Sequence, residues 1–176
     1  MGALSGFEHI IRENEPLAPY TWFRLGGPAE YFAEPTSLDE LADLVKRCRE
    51  EELPVRVLGG GSNLLVRDKG VPGLVVRLAA PAFAEISHQD NTITAGGGAK
   101  LGHLISTAAR EGLAGLEHLV GIPGTVGGAL RGNAGTENHD IGQCTTRATV
   151  MTRLGEFITH DREELRFAYR YSSLDE

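Results

Sequence analysis

Apolar and polar residues follow two rhythms along this chain, and the switches between them predict most of its elements. Ala29-Glu30-Tyr31-Phe32-Ala33 alternates as a half-buried strand does, and Glu34-Pro35 stops it. Ser37 then opens a capping box, its hydroxyl taking the Glu40 amide proton while the Glu40 carboxylate returns to the Ser37 amide. Leu38, Leu41, Ala42, Val45 and Cys48 keep helical spacing, so an amphipathic helix of about fourteen residues is expected, ending before Pro54. Val55-Arg56-Val57-Leu58, Leu64-Leu65-Val66 and Leu74-Val75-Val76 read as short strands, with a turn around Gly70. Strand, helix, strand is the βαβ pattern of a parallel sheet, whose ligands bind at the carboxyl ends of the strands.

The ends of this first half are less regular. Residues 1–18 have weak periodicity and are expected to form a short, loosely packed helix. Thr21-Trp22-Phe23-Arg24-Leu25 reads as an apolar segment closed by a turn at Gly26-Gly27-Pro28, with Trp22 and Phe23 in the core. After Pro81 the rhythm changes. Ala84–His88 and Thr92–Ala95 flank Asp90-Asn91, a hairpin signal. Leu101, Leu104, Ile105 and Ala108 form a helical stripe closed by Gly112. Thr146–Met151 and Phe157-Ile158-Thr159 flank a turn at Leu154-Gly155-Glu156, and an acidic helical turn follows at Asp161–Leu165. These readings place a boundary near residue 80: a small βαβ lobe over 1–80 and a larger mixed lobe with antiparallel strands over 81–176. The fold class expected is α+β (α/β).

Composition changes the picture at one point. Glycine makes up 23 of the 176 residues, about 13% against a typical ~7%. It gathers in Gly59-Gly60-Gly61-Ser62-Asn63, in Gly96-Gly97-Gly98 and in the fifteen residues Gly121–Gly135, six of which are glycine. Each run follows or borders an apolar segment. One reading is a set of tight surface loops. The other is a nest of bare amides, helped by the start of a helix, that takes the phosphates of a large cofactor lying across strand ends. A leucine at position 64 breaks the dinucleotide fingerprint, and no Gly-Lys-Ser or Gly-Lys-Thr follows any loop, so a mononucleotide P-loop is excluded. The net charge of −7 argues against a nucleic-acid surface. No apolar run reaches the ~18 residues of a membrane span, and no basic-then-apolar leader is visible. Cys48 and Cys144 are too few for a disulfide framework, and no metal-ligand spacing occurs, so a cytoplasmic protein without a metal is expected.

Four segments carry a resemblance. Thr21-Trp22-Phe23-Arg24-Leu25-Gly26-Gly27-Pro28-Ala29, Leu58-Gly59-Gly60-Gly61-Ser62-Asn63-Leu64-Leu65, Gly121-Ile122-Pro123-Gly124-Thr125-Val126-Gly127-Gly128-Ala129 with Asn133-Ala134-Gly135, and Phe167-Ala168-Tyr169-Arg170-Tyr171-Ser172 together resemble the UDP-N-acetylenolpyruvoylglucosamine reductases, the MurB family. That resemblance implies a two-lobed FAD-binding domain of the vanillyl-alcohol-oxidase (PCMH) type. It implies FAD as cofactor, NADPH as co-substrate, and hydride transfer to the enolpyruvyl double bond of a UDP-sugar, giving UDP-N-acetylmuramate for peptidoglycan.

It further implies roles for single residues. Leu58, Gly59, Gly60, Gly61, Ser62, Asn63 and Leu64 would cradle the pyrophosphate. Gly121, Ile122, Pro123, Gly124, Val126, Gly127, Gly128, Asn133, Ala134 and Gly135 would lie along the flavin and its ribityl-diphosphate. Tyr169 and Arg170 would meet substrate, Arg170 holding the carboxylate and the charge that develops on hydride addition. The family's proton donor, a serine or cysteine, and its acidic partner belong to a third, substrate domain that this stretch does not match, and Ser172 and Ser173 do not correspond to that donor. Two other readings stay open: a flavin oxidase of the same fold acting on a sugar or lactone, and a non-catalytic flavin-binding module. Oligomeric state is not legible.

Overall fold

The computed structural model describes residues 2–136 and 138–175. The chain falls into two compact units, one of Met1–Phe83 with Met151–Glu156 and one of Ala84–Val150 with Phe157–Glu176.

The first unit is built on a four-stranded sheet in the order β1 (Ile11–Pro16), β2 (Pro28–Ala33), β4 (Val71–Arg77), β3 (Val55–Leu58). β2, β4 and β3 run parallel, and β1 pairs antiparallel with β2. Helix α1 (Leu38–Glu50) crosses between β2 and β3, as the apolar spacing requires. Its Leu41, Leu44 and Cys48 pack with Ala33, Leu74 and Val76 of the sheet, and each such aliphatic side chain contributes roughly 1.5–3 kcal/mol on burial. Burial pushes the Cys48 thiol up to about 11, so it stays protonated and inert. The other face of the sheet packs Phe32 and Val75 with Leu17, Ala29 and Leu58.

Three expectations for this unit change. The helix expected in residues 1–18 is replaced by turns and then strand β1, because pairing with β2 supplies what weak local propensity does not. Arg12 on that strand bonds Glu34 at 2.7 Å and lies over the Phe32 ring. Leu64-Leu65-Val66 is not a strand; it is irregular chain leading to β4. The capping box is half formed. The Ser37 hydroxyl accepts the Glu40 amide at 3.2 Å, but the Glu40 carboxylate takes the Thr36 amide at 2.6 Å and hydroxyl at 2.9 Å rather than the Ser37 amide. These bonds, with His9 at 2.7 Å, hold the Glu40 carboxyl below the usual carboxylate range.

The second unit is helical at its centre. After the short helix α2 (Pro81–Ala84), which straddles the two units, come the antiparallel hairpin β5 (Ile86–Gln89) and β6 (Thr92–Ala95), then α3 (Leu101–Arg110), α4 (Val126–Arg131) and α5 (Ile141–Cys144). Leu101, Leu104 and Ala108 of α3 form a core with Leu116, Leu119, Val126, Ala129 and Ile141. Gly112 follows α3 with φ +72°, the left-handed stop expected there. β7 (Arg147–Met151) pairs with β8 (Phe157–Asp161), and β9 (Phe167–Ala168) with β10 (Tyr171–Ser172). Asp161–Leu165 is a hydrogen-bonded turn. The fold is therefore the expected mixture of a parallel βαβ sheet and antiparallel strands.

Candidate functional site

In the first unit the glycine loop leaves β3 at its carboxyl end. Gly61 has φ +64°, and a Cβ there would run into the Tyr20 carbonyl oxygen. The Trp22 amide donates to the Gly61 carbonyl at 2.9 Å. Main-chain contacts thus pin the loop against the turn at Thr21–Leu25, where the buried Thr21 hydroxyl donates to the Leu25 carbonyl at 2.8 Å. Among the described residues no acceptor takes up the amides of Gly60 or Asn63. Gly60, Asn63 and Leu64 are exposed, and no helix follows the loop. The expected help from a helix start is therefore missing here, and the amides themselves would have to meet an anion.

The core role expected for Trp22 and Phe23 is overturned: they are 65% and 62% exposed. Their segment is a turn whose backbone holds the glycine loop, so its side chains project outward with Leu25 and Leu65.

In the second unit Gly121 and Gly124 take φ +87° and +114°, conformations open to glycine. The Gly127 amide donates to the Gly97 carbonyl at 2.8 Å, and a Cβ on Gly127 would lie 3.0 Å from that same oxygen. Gly97 thus backs the start of α4. The Thr125 hydroxyl caps that helix by accepting the Gly128 amide at 3.3 Å. Val126 and Ala129 point into the core, while Gly121 is exposed and Pro123 and Gly128 are not fully buried. The Ala134 amide donates to Ala129 at 2.8 Å, and Gly135 bridges to Asp140 so closely that a Cβ would strike the His139 carbonyl. No acidic side chain occurs from Gly59 to Leu64 or from Gly121 to Gly135, so neither segment presents a carboxylate to a phosphate.

Tyr169 and Arg170 form the two-residue tip of the β9–β10 hairpin, which belongs to the second unit. Arg170 has φ +56°, a position usually taken by glycine or asparagine. Its guanidinium lies 5.8 Å from the centroid of the exposed Tyr169 ring, and among the described residues no carboxylate pairs with it. The charge is presented outward. Asn133 is buried, with φ +43°. Its Oδ1 accepts the Gly142 amide at 3.1 Å and its Nδ2 donates to the Ala168 carbonyl at 2.9 Å. Sequence reasoning did not single out Gly142, and it gave Phe167 and Ser172 no packing role. The Phe167 ring lies on Gly142 where no Cβ would fit, and the buried Ser172 hydroxyl donates to the Arg131 carbonyl at 3.1 Å. Only a glycine beside Ile141, with the apolar Phe167 far along the chain, hinted at such a contact. Among the described residues no group of His, Cys, Asp and Glu could hold a metal ion.

Residues 29–161 match the family described as FAD binding domain. The chain belongs to that family. It is 45% identical over 166 residues to the UDP-N-acetylenolpyruvoylglucosamine reductase of Rhodopirellula baltica, covering 94% of this chain and 54% of the relative. It is 49% identical over 161 residues to that of Paramagnetospirillum magneticum, covering 92% and 52%. The chain thus spans about half the length of the curated relatives it matches. Among solved structures, the MurB reductase of Thermus caldophilus superposes with TM-score 0.76 at 41% identity, over 92% of this chain and 57% of that one. A 6-hydroxy-D-nicotine oxidase from Arthrobacter nicotinovorans superposes with TM-score 0.62 at 25% identity, over 91% and 34%. No helix among the described residues is long and apolar enough to cross a membrane.

Proposed function

We propose that this chain is the FAD-binding portion of a cytoplasmic reductase that converts UDP-N-acetylglucosamine enolpyruvate to UDP-N-acetylmuramate at the expense of NADPH, in peptidoglycan synthesis. The observation that carries this reading is the glycine loop after β3. Among the described residues its Gly60 and Asn63 amides find no acceptor, no carboxylate occurs in the loop, and main-chain contacts with Tyr20 and Trp22 help hold its shape. The likeness to reductases of that name at 43% to 49% identity supplies the chemistry. It also favours the reductase over the sugar or lactone oxidase, whose fold the oxidase neighbours share.

The residues fit FAD. Leu58–Leu64 would meet the pyrophosphate through amides, and Gly121–Gly128 with Asn133, Ala134 and Gly135 offer a backbone surface with few projecting side chains. FAD held there would supply the two-electron relay between NADPH and the enolpyruvyl double bond. Arg170 would hold the substrate carboxylate with its planar fork and stabilise the negative charge that develops on that side as hydride adds to the other carbon. Tyr169 would line the same substrate-facing tip. Substrate and NADPH are the partners this reading requires.

Flavin titration tests it. The purified chain should bind FAD noncovalently and at least about tenfold tighter than riboflavin, which lacks the charge the amides would meet. Equal affinities would remove the phosphate role of the loop.

A further inference from the structure

We propose that Asn133 is a positioning residue for Arg170: its side-chain amide ties the β9–β10 hairpin to the α4–α5 segment and so sets where the guanidinium stands. The inference rests on the role given above to Arg170. A hairpin of two residues per strand is marginal by itself, and its tip residue has the left-handed φ of +56°. Something outside the hairpin must hold it. Contacts among the described residues that contribute are the Asn133 Nδ2 bond to the Ala168 carbonyl, the Ser172 hydroxyl bond to the Arg131 carbonyl, and the Phe167 ring seated on Gly142.

Of these three, the Asn133 contact joins all the parts. Its Oδ1 takes the Gly142 amide, in α5, while its Nδ2 reaches the residue directly before Tyr169 and Arg170. The orientation is unambiguous, since a flipped amide would set donor against donor at Gly142 and acceptor against acceptor at Ala168. The backbone φ of +43° further restricts the position to residues that tolerate the left-handed region. The residue is 4% exposed with both ends of its side chain committed. A buried amide of this kind has no conservative hydrocarbon replacement.

Asn133→Asp separates the two bonds. The carboxylate still accepts from Gly142 but cannot donate to the Ala168 carbonyl, and the left-handed φ remains accessible. In the FAD-loaded enzyme at the length of its relatives, kcat/KM for the enolpyruvyl UDP-sugar should fall about tenfold to hundredfold, as expected when a charged group is displaced. The loss should persist at saturating FAD, and the rate of flavin reduction by NADPH should fall less than kcat/KM. In an Arg170→Ala background the same substitution should cost almost nothing further, because its effect passes through the arginine. Hydrogen exchange of the Arg166–Ser173 amides should quicken in this chain alone. Asn133→Gly, which keeps the backbone but loses both bonds, serves if the aspartate variant does not fold.

A loss equally large in the Arg170→Ala background, or one that tracks loss of FAD, would overturn the inference. Unchanged exchange in the hairpin would overturn it without reference to catalysis. Failure of the parent enzyme to reoxidise its flavin with the UDP-sugar would instead strike the proposed function.

Discussion

As sequences, the glycine loop after β3 and the glycine segment around α4 resemble each other, yet the two are built differently. Around Gly61 the backbone is held by a few main-chain contacts with Tyr20 and Trp22, and the nearby apolar side chains Trp22, Phe23 and Leu65 are left exposed. Between Gly127 and Ala134 several amides are taken up by the segment's own packing. Gly127 bonds Gly97, Gly128 bonds Thr125, Ala134 bonds Ala129, and Asn133 has both ends of its side chain committed. The loop after β3 keeps amides free for an anion. The segment around α4 offers a surface whose shape is rigid, and the outward charge of Arg170 stands on a neighbouring hairpin. Glycine content alone does not distinguish a ligand loop from a close-packed one; where the amide protons go does.

Four substitutions break or sharpen that contrast, and the largest effect is expected at the charge. In the enzyme at the length of its relatives, Arg170→Ala should lower turnover about 10²–10³-fold with FAD retained, the usual cost of removing one charge-stabilising group. Stopped-flow mixing of the reduced enzyme with UDP-sugar measures it, and undiminished reoxidation would remove the arginine from the chemistry. Gly61→Ala should be next. The positive φ and the collision with the Tyr20 carbonyl should cost about 1–3 kcal/mol, seen as a lower denaturation midpoint together with weaker flavin binding. A variant of unchanged stability would mean that the loop is free to move.

Gly60→Asp probes the same loop through charge. It should leave the denaturation midpoint nearly unchanged and weaken FAD about tenfold, by setting a negative charge near the pyrophosphate. Isothermal titration against FAD and riboflavin should show the penalty for FAD alone. The smallest effect belongs far from either segment. The Thr36 amide bond is the first cause of the lowered Glu40 carboxyl. A depressed carboxyl adds stability above its unfolded value near 4.3 and loses it as pH falls through the folded value. Glu40→Gln should therefore destabilise by a few tenths of a kcal/mol to about 1 kcal/mol at pH 7 and by almost nothing well below pH 4. An equal loss at both pH values would place its cause in packing.

Local periodicity made much of the fold legible. The α1 stripe, the β2, β3 and β4 runs, the Asp90 turn and the α3 stripe with Gly112 are short-range patterns, and each formed where spacing and capping chemistry put it. The glycine segments and the Tyr169-Arg170 tip were legible as motifs as well. Two of the failures share a long-range cause: residues 11–16 became a strand because β2 offered a partner, and the Trp22 segment turned outward where its backbone meets Gly61. The third is local, Glu40 taking Thr36 over Ser37.

Sequence by itself determined α1, α3, the β2, β3 and β4 runs and the Asp90 turn, because those patterns depend on neighbours within a few positions. Only the tertiary structure decided which glycine amides remain free, and that Asn133 reaches across thirty-five positions to Ala168. Hydrogen bonds of that kind follow from where distant backbones meet, and a buried amide must find both its partners whatever the local pattern around it. The same physics sets Phe167 on Gly142 and closes Ser172 onto Arg131, so that three contacts hold one exposed arginine in place.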